Sequence, residues 1–124
     1  MNELKTINKN SISEIIEKKS KFIGQVYYVE TKLEAEKIIK SVKKKYSDAK
    51  HNCYAYSVLE NESIITKSSD DGEPSSTAGM PILNVIKENN LTNVLIIVTR
   101  YFRRNTPWNR RTSKSIYQSC NRSN

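Results

Sequence analysis

Histidine and tryptophan occur once each in the 124 residues and cysteine twice, and no apolar run approaches the roughly 18 residues that would cross a bilayer. The first ten residues, "MNELKTINKN", hold no apolar segment of the kind that opens a secretory signal. These absences predict a cytoplasmic protein with no membrane partner. Cys53 and Cys120 form neither a C-x-x-C pair nor a disulfide framework, which predicts a reducing compartment and no disulfide-linked partner. His51 and Cys53 would share one face of a strand, but a zinc site needs three or four ligands and the other cysteine lies far along the chain. No metal and no cofactor is assigned.

Acidic residues are missing from one region altogether. The formal charge is +8, from 21 Lys and Arg against 13 Asp and Glu. Residues 103–124 contain Arg103, Arg104, Arg110, Arg111, Lys114 and Arg122 and no acid. Subtracting those 6 from 21 leaves 15 bases against 13 acids in residues 1–102, a net +2. The body is close to neutral, so the high overall charge alone does not identify a partner.

The body reads as alternating strands and helices. "SISEIIE" and "KFIGQVYYV" are rich in β-branched and aromatic residues, and the short polar connection between them predicts a hairpin. The period then changes. Ala35, Ile38, Ile39, Val42 and Tyr46 fall at helical spacing, Thr31 stands as N-cap with Glu34 as capping-box partner, and Lys43, Lys44 and Lys45 suit the helix C-terminus. "HNCYAYSVLE" alternates as a strand, "SIITKS" is its hairpin mate, and "TAGMPILNVIKENN" predicts a second helix ended by Asn89 and Asn90. "VLIIVTRYF" closes the series as a strand buried on both faces. The order β-β-α-β-β-α-β predicts a single α/β (α+β) domain, a two-layer sandwich with helices on one face of a mixed sheet.

Chemistry-bearing residues gather in "SSDDGEPSSTAGMP". Asp70, Asp71 and Glu73 offer oxygen ligands or general bases, Gly72 and Pro74 a tight turn, and Ser75, Ser76 and Thr77 hydroxyls at a helix start. Amides and hydroxyls there attract phosphate, whereas the carboxylates repel it unless a cation intervenes. An Asx-turn leading into an N-cap explains Asp71, Gly72 and Thr77 equally well. Two readings stay open: a binding module, and a metal-dependent hydrolase or phosphoryl-transfer enzyme built on Asp70, Asp71 and Glu73. No catalytic residue is assigned.

"SKFIG" at 20–24, "HNCYAY" at 51–56, "SDDGEPSSTAGMPIL" at 69–83 and "IIVTRYF" at 96–102 resemble, in order, the N-terminal domain of the impact/YigZ family. The resemblance implies a sandwich similar to the second domain of ribosomal protein S5, and a cytosolic, translation-linked regulatory role. In eukaryotic members that role runs through the activator of an initiation-factor kinase; for bacterial members, nucleic-acid binding is the usual suggestion. It therefore points to RNA, the ribosome or translation factors as partners, with Asp70, Asp71, Gly72, Glu73, Ser76, Thr77 and Arg100 around the functional edge. Many bacterial members add a ferredoxin-like second domain, which this sequence is expected to lack.

After Phe102 the pattern fails. The family continues G-G-x-x-L-G-x-G-G-L-V-R-A-Y, and the five glycine slots hold Arg103, Arg104, Trp108, Arg110 and Arg111, residues whose codons can end in GG. One permitted set of codons for the segment, read one base later, gives G-G-I-L-L-G-T-G-G-L-V-R-A-Y. The expectation is an incomplete impact-type domain over 1–102, followed by an out-of-frame basic tail over 103–124 that packs poorly. An authentic basic tail that serves RNA is the competing reading.

Overall fold

The computed structural model describes residues 7, 10–17, 20–49, 51–71, 79–101 and 117, and the side chains of 15–17 and 20 are outside that description. Strands β1 (Ser11–Glu17) and β2 (Ser20–Tyr28) pair antiparallel from Ser11 opposite Val26 to Glu17 opposite Ser20, as the hairpin pattern predicts. Helix α1 (Lys32–Lys45) begins where Thr31, in an extended conformation, accepts the Glu34 amide on Oγ1 at 3.0 Å. Glu34 reaches back to the Glu30 amide at 2.8 Å, one residue before the partner a standard capping box would use.

Strands β3 (His51–Glu60) and β4 (Ser63–Ser69) meet through Asn61 and Glu62, whose φ angles of 49° and 66° give the hairpin two left-handed residues in succession. Helix α2 (Gly79–Glu88) ends as "ENN" predicts. Asn90 takes φ 53°, its amide reaches the Lys87 carbonyl at 3.1 Å and the Leu91 amide reaches Ile86 at 3.0 Å. That pair of bonds is the Schellman closure, with asparagine in the slot that usually holds glycine. Strand β5 (Val94–Arg100) has every residue buried.

The five strands run in the order β1-β2-β5-β3-β4 and every neighbouring pair is antiparallel. The α+β class is as expected, but two particulars differ. First, the sheet is antiparallel and not mixed. The β2-α1-β3 and β4-α2-β5 units each join strands that point the same way, yet β5 slots between β2 and β3, and β3 separates β4 from β5, so no parallel pair touches.

Second, the helices lie on opposite faces. Ala35, Ile39 and Val42 of α1 pack with Tyr54, Tyr56, Val58, Leu95 and Ile97, while Ile82, Leu83 and Ile86 of α2 pack with Phe22, Val26, Cys53, Ala55, Val94, Ile96 and Val98. Alternate residues of β3 and β5 thus serve different helices, as a two-residue strand period requires. Two crossovers of the same hand would put both helices on one face; this pair is of opposite hand. The described residues therefore form helix, sheet and helix layers in place of the two expected.

Candidate functional site

The acidic pair sits where four elements converge: the start of β3, the end of β4, the C-terminal half of α1 and the first residue of α2. Asp71 has φ 49°, a left-handed conformation that aspartate tolerates, and its amide bonds back to Ser69 Oγ at 3.1 Å. This turn aims its carboxylate across the sheet end. Oδ2 accepts the Asn52 amide at 2.7 Å, and Oδ1 faces Lys43 Nζ at 3.4 Å. Asp70 Oδ1 accepts the Gly79 amide at 2.6 Å and so satisfies a donor at the N-terminus of α2. Both carboxylates hold the fold: Asp71 ties β3 to α1, and Asp70 ties the end of β4 to α2.

The carbonyls of the same turn are engaged as well. His51 Nδ1 lies 2.9 Å from the Asp71 carbonyl, and Cys53 Sγ donates to the Asp70 carbonyl at 3.3 Å. Burial pushes the Cys53 thiol up to about 12; the nearby Arg100 cation opposes the shift and Asp71 and Asp70 add to it. A thiol held protonated is a poor nucleophile. Beneath this layer, Thr99 Oγ1 donates to Asn52 Oδ1 at 2.7 Å and Asn52 Nδ2 donates to the Tyr46 carbonyl at 3.2 Å, so the buried amide is used at both ends.

Of the seven candidate residues, Asp70 and Asp71 come together with His51 and Cys53. Arg100 joins them as a buried cation, 3% exposed, on β5 opposite both Phe22 and His51. Gly72, Glu73, Ser76 and Thr77 lie outside the described residues. Among the described residues no group of three or more potential metal ligands forms. Asn52, Thr99, Lys43 and Gly79 are partners the sequence reading missed. Gly79 is the most constrained: a Cβ there would lie 2.7 Å from the Ser69 nitrogen and 2.8 Å from its carbonyl carbon and oxygen. Close passage of two backbones requires glycine at that point.

On the α1 side of the same sheet end, tyrosines and lysines interleave. The Tyr46 and Tyr101 rings meet edge to face at 6.3 Å, Lys45 Nζ lies 5.4 Å from the Tyr46 centroid and Lys21 Nζ 5.4 Å from that of Tyr101. Further along, the Tyr54 and Tyr56 rings stack at 6.3 Å, and Lys43 and Lys67 approach the Tyr54 ring at 5.7 and 6.0 Å. Burial raises the Tyr56 hydroxyl, and its bond to Glu36 at 2.8 Å adds to the shift. For Glu36, burial acts to raise the carboxyl, but the bonds from Tyr56 and Lys67 outweigh it and hold it below the usual range. Among the described residues no helix is long and apolar enough to cross a membrane.

Residues 18–121 match the family described as the Impact N-terminal domain. The chain is 44% identical over 97 residues to the IMPACT family member YvyE of Bacillus subtilis, covering 78% of this chain and 44% of that protein. It is 33% identical over 86 residues to the IMPACT family member YigZ of Escherichia coli, covering 68% of this chain and 42% of that one. The chain thus spans less than half the length of these relatives. Its fold matches a crystal structure of a hypothetical protein with TM-score 0.75 at 25% identity, over 94% of this chain and 56% of the other. It also matches the two-domain translational regulator Yih1 with TM-score 0.65 at 21% identity, over 94% of this chain and 48% of that one.

Proposed function

The chain belongs to the IMPACT family, and on that premise we propose that it is a cytoplasmic, translation-linked regulatory module that acts by binding RNA or the ribosome and not by catalysis. The observation that carries this reading is the use of the acidic pair. Asp71 is held between the Asn52 amide and Lys43, and Asp70 is held on the Gly79 amide, so the two carboxylates stabilise the fold where an enzyme would aim them at a substrate. A metal-dependent hydrolase finds no support in Asp71, since a lysine 3.4 Å from one oxygen and an amide on the other occupy the positions a cation would take. The description of Yih1 as a translational regulator agrees with the reading.

On this reading Asp70, Asp71, Gly72, Glu73, Ser76, Thr77 and Arg100 are the residues that serve contact with the translation machinery. Co-sedimentation with ribosomes at physiological salt tests it. The chain pellets with ribosomes, and a variant carrying Glu73→Ala, Ser76→Ala and Thr77→Ala, which spares both aspartates, pellets less. Failure of the parent to pellet at any salt concentration up to physiological overturns the reading.

We also propose that residues 103–124 are an out-of-frame tail. The basis is the coincidence of arginine and tryptophan with all five glycine slots of the family pattern. Tyr117, the one tail residue described, is half-buried against the α2-side core, and the family match runs past Phe102 to residue 121. Those two observations weigh toward a tail that belongs to the domain. The DNA around the Phe102 codon decides: one missing or extra base, with family-like sequence continuing in the other frame, supports the proposal, and an early stop in that frame sinks it.

A further inference from the structure

We propose that the sheet end where Lys21, Lys45, Tyr46 and Tyr101 meet is a docking surface for single-stranded RNA, with bases stacked on the two tyrosines and phosphates on the lysines of α1. This rests on the RNA-binding reading above and adds residues of β2, α1 and Tyr101 to the candidates named there.

Charge is the first argument. From Lys37 to Lys45 the helix carries five lysines and no acid. With Ile39 and Val42 turned into the core, Lys37, Lys40, Lys44 and Lys45 are exposed, and none of them enters the three ion pairs found among the described residues. Two of the acids nearby are paired with lysine, and the third, Asp48, keeps its charge because its donor is a neutral hydroxyl. Glu14 faces Lys21 at 3.4 Å, Asp71 faces Lys43 at 3.4 Å and Asp48 accepts the Tyr101 hydroxyl at 3.3 Å. The local balance is strongly positive although the net charge of residues 1–102 is only +2, from 15 bases less 13 acids.

Aromatic placement is the second argument, and it separates RNA from an acidic protein. Tyr46 is the C-cap of α1, tied by its amide to the Val42 carbonyl at 2.9 Å, and Tyr101 is tied by its amide to the Lys21 carbonyl at 3.1 Å. Neither backbone must be ordered on binding, so little conformational entropy opposes stacking. Each ring has a lysine ammonium 5.4 Å from its centroid. Both ammoniums lie over the ring faces on flexible stems, so a base can take the face while the ammonium moves to the phosphate about one sugar away. A duplex buries its base faces, so this arrangement selects single strands.

Fluorescence anisotropy with a labelled oligouridine of about ten nucleotides tests the surface. Lys44→Glu with Lys45→Glu weakens binding about tenfold and lowers the salt slope by about 1.4, the value for two phosphate contacts to a single strand. Tyr101→Leu, and separately Tyr46→Leu, weaken oligouridine binding about tenfold while affinity for inorganic polyphosphate is unchanged, because only the bases stack. Arg110→Gln with Arg111→Gln in the tail leaves oligouridine binding within about twofold, a smaller effect than the loss of one phosphate contact.

The proposal is overturned if the tail pair abolishes binding while the helix pair does not, or if both tyrosine variants bind oligouridine like the parent. Duplex RNA or an acidic peptide binding as tightly as oligouridine overturns it too. The two readings fail separately. A parent that pellets with ribosomes but does not bind oligouridine sinks this surface and leaves the translation reading. Oligouridine binding by a parent that never pellets with ribosomes does the reverse.

Discussion

The two faces of the sheet are built from different chemistry. On the α2 side the core is almost wholly aliphatic, with Val26, Ile82, Leu83, Ile86, Val94, Ile96 and Val98 around Phe22 and Cys53. On the α1 side Tyr54 and Tyr56 join the core, with Tyr27 and Tyr46 half-buried against it, and their hydroxyls and rings bring in Glu36, Lys43 and Lys67. An aliphatic face tolerates little misfit, whereas tyrosine lets an interior pass gradually into a charged surface. The α2 face should therefore carry the larger share of stability, and the α1 face should tolerate change.

Gly79 gives the sharpest contrast. A methyl group there meets the Ser69 backbone at 2.7 to 2.8 Å, and backbone cannot step aside as a flexible side chain can. Gly79→Ala is expected to lower stability by about 3 kcal/mol, the upper end for overpacking, read from the urea midpoint. A loss below about 0.5 kcal/mol, the range of an ordinary surface change, would mean that α2 does not dock where this structure has it. Asp71→Ala comes next. It leaves the Asn52 amide, in a residue 5% exposed, without its acceptor, at about 2 kcal/mol. Asp70→Ala, the loss of a helix cap, is expected to cost about 1 kcal/mol.

Much of this organisation was legible. Thr31, Glu34, Asn61 and Asn90 announce their elements because caps and turns are local, decided within a few residues. The layering was half-legible. Consecutive apolar residues along "VLIIV", and an apolar set on each face of "CYAYSV", already require cover on both sides of the sheet. Helical periodicity, however, tells which stripe of a helix is buried and not against which face, and the hand of each crossover is nowhere in it. The acidic pair was visible as chemistry but not as structure. Its partners Asn52 and Gly79 stand 19 and 9 residues away, and only the folded chain brings them together.

Alkaline pH tests burial on the α2 side by titration. Cys53, on the α2 side, has its thiol raised from 9.0 to about 12 by burial. Between those values the unfolded chain has lost the proton and the folded chain keeps it. The native state binds more protons there, so stability is complete below pH 9 and falls as pH rises toward 12. One proton corresponds to about 1.4 kcal/mol per pH unit. Cys53→Ala removes that contribution, so its stability should fall less steeply than the parent's between those limits, whatever it loses at neutral pH to the cavity. Parallel slopes in urea titrations across the window would show that the thiol is not buried in the native state.

The smallest effect belongs to the α1 face. Lys67 Nζ pairs with Glu36 at 3.2 Å, but the two side chains are 46% and 34% exposed. Water screens such a pair, and ordering two long side chains opposes it, so Lys67→Met is expected to lower stability by about 0.5 kcal/mol or less. The sign of its pH dependence is fixed all the same. Glu36 is held below the usual carboxyl range, so its contribution is present above the unfolded value of 4.5 and is lost as pH falls through the lower folded value. Lys67→Met moves the folded value back up and flattens stability over that acidic interval, while Tyr56 still donates to Glu36 and preserves part of the shift. Proton-linked stability below pH 5, compared between parent and variant, reads this directly. A loss as large as that for Gly79→Ala would show that the α1 face is as tightly interlocked as the other, and the contrast between the two faces would fail.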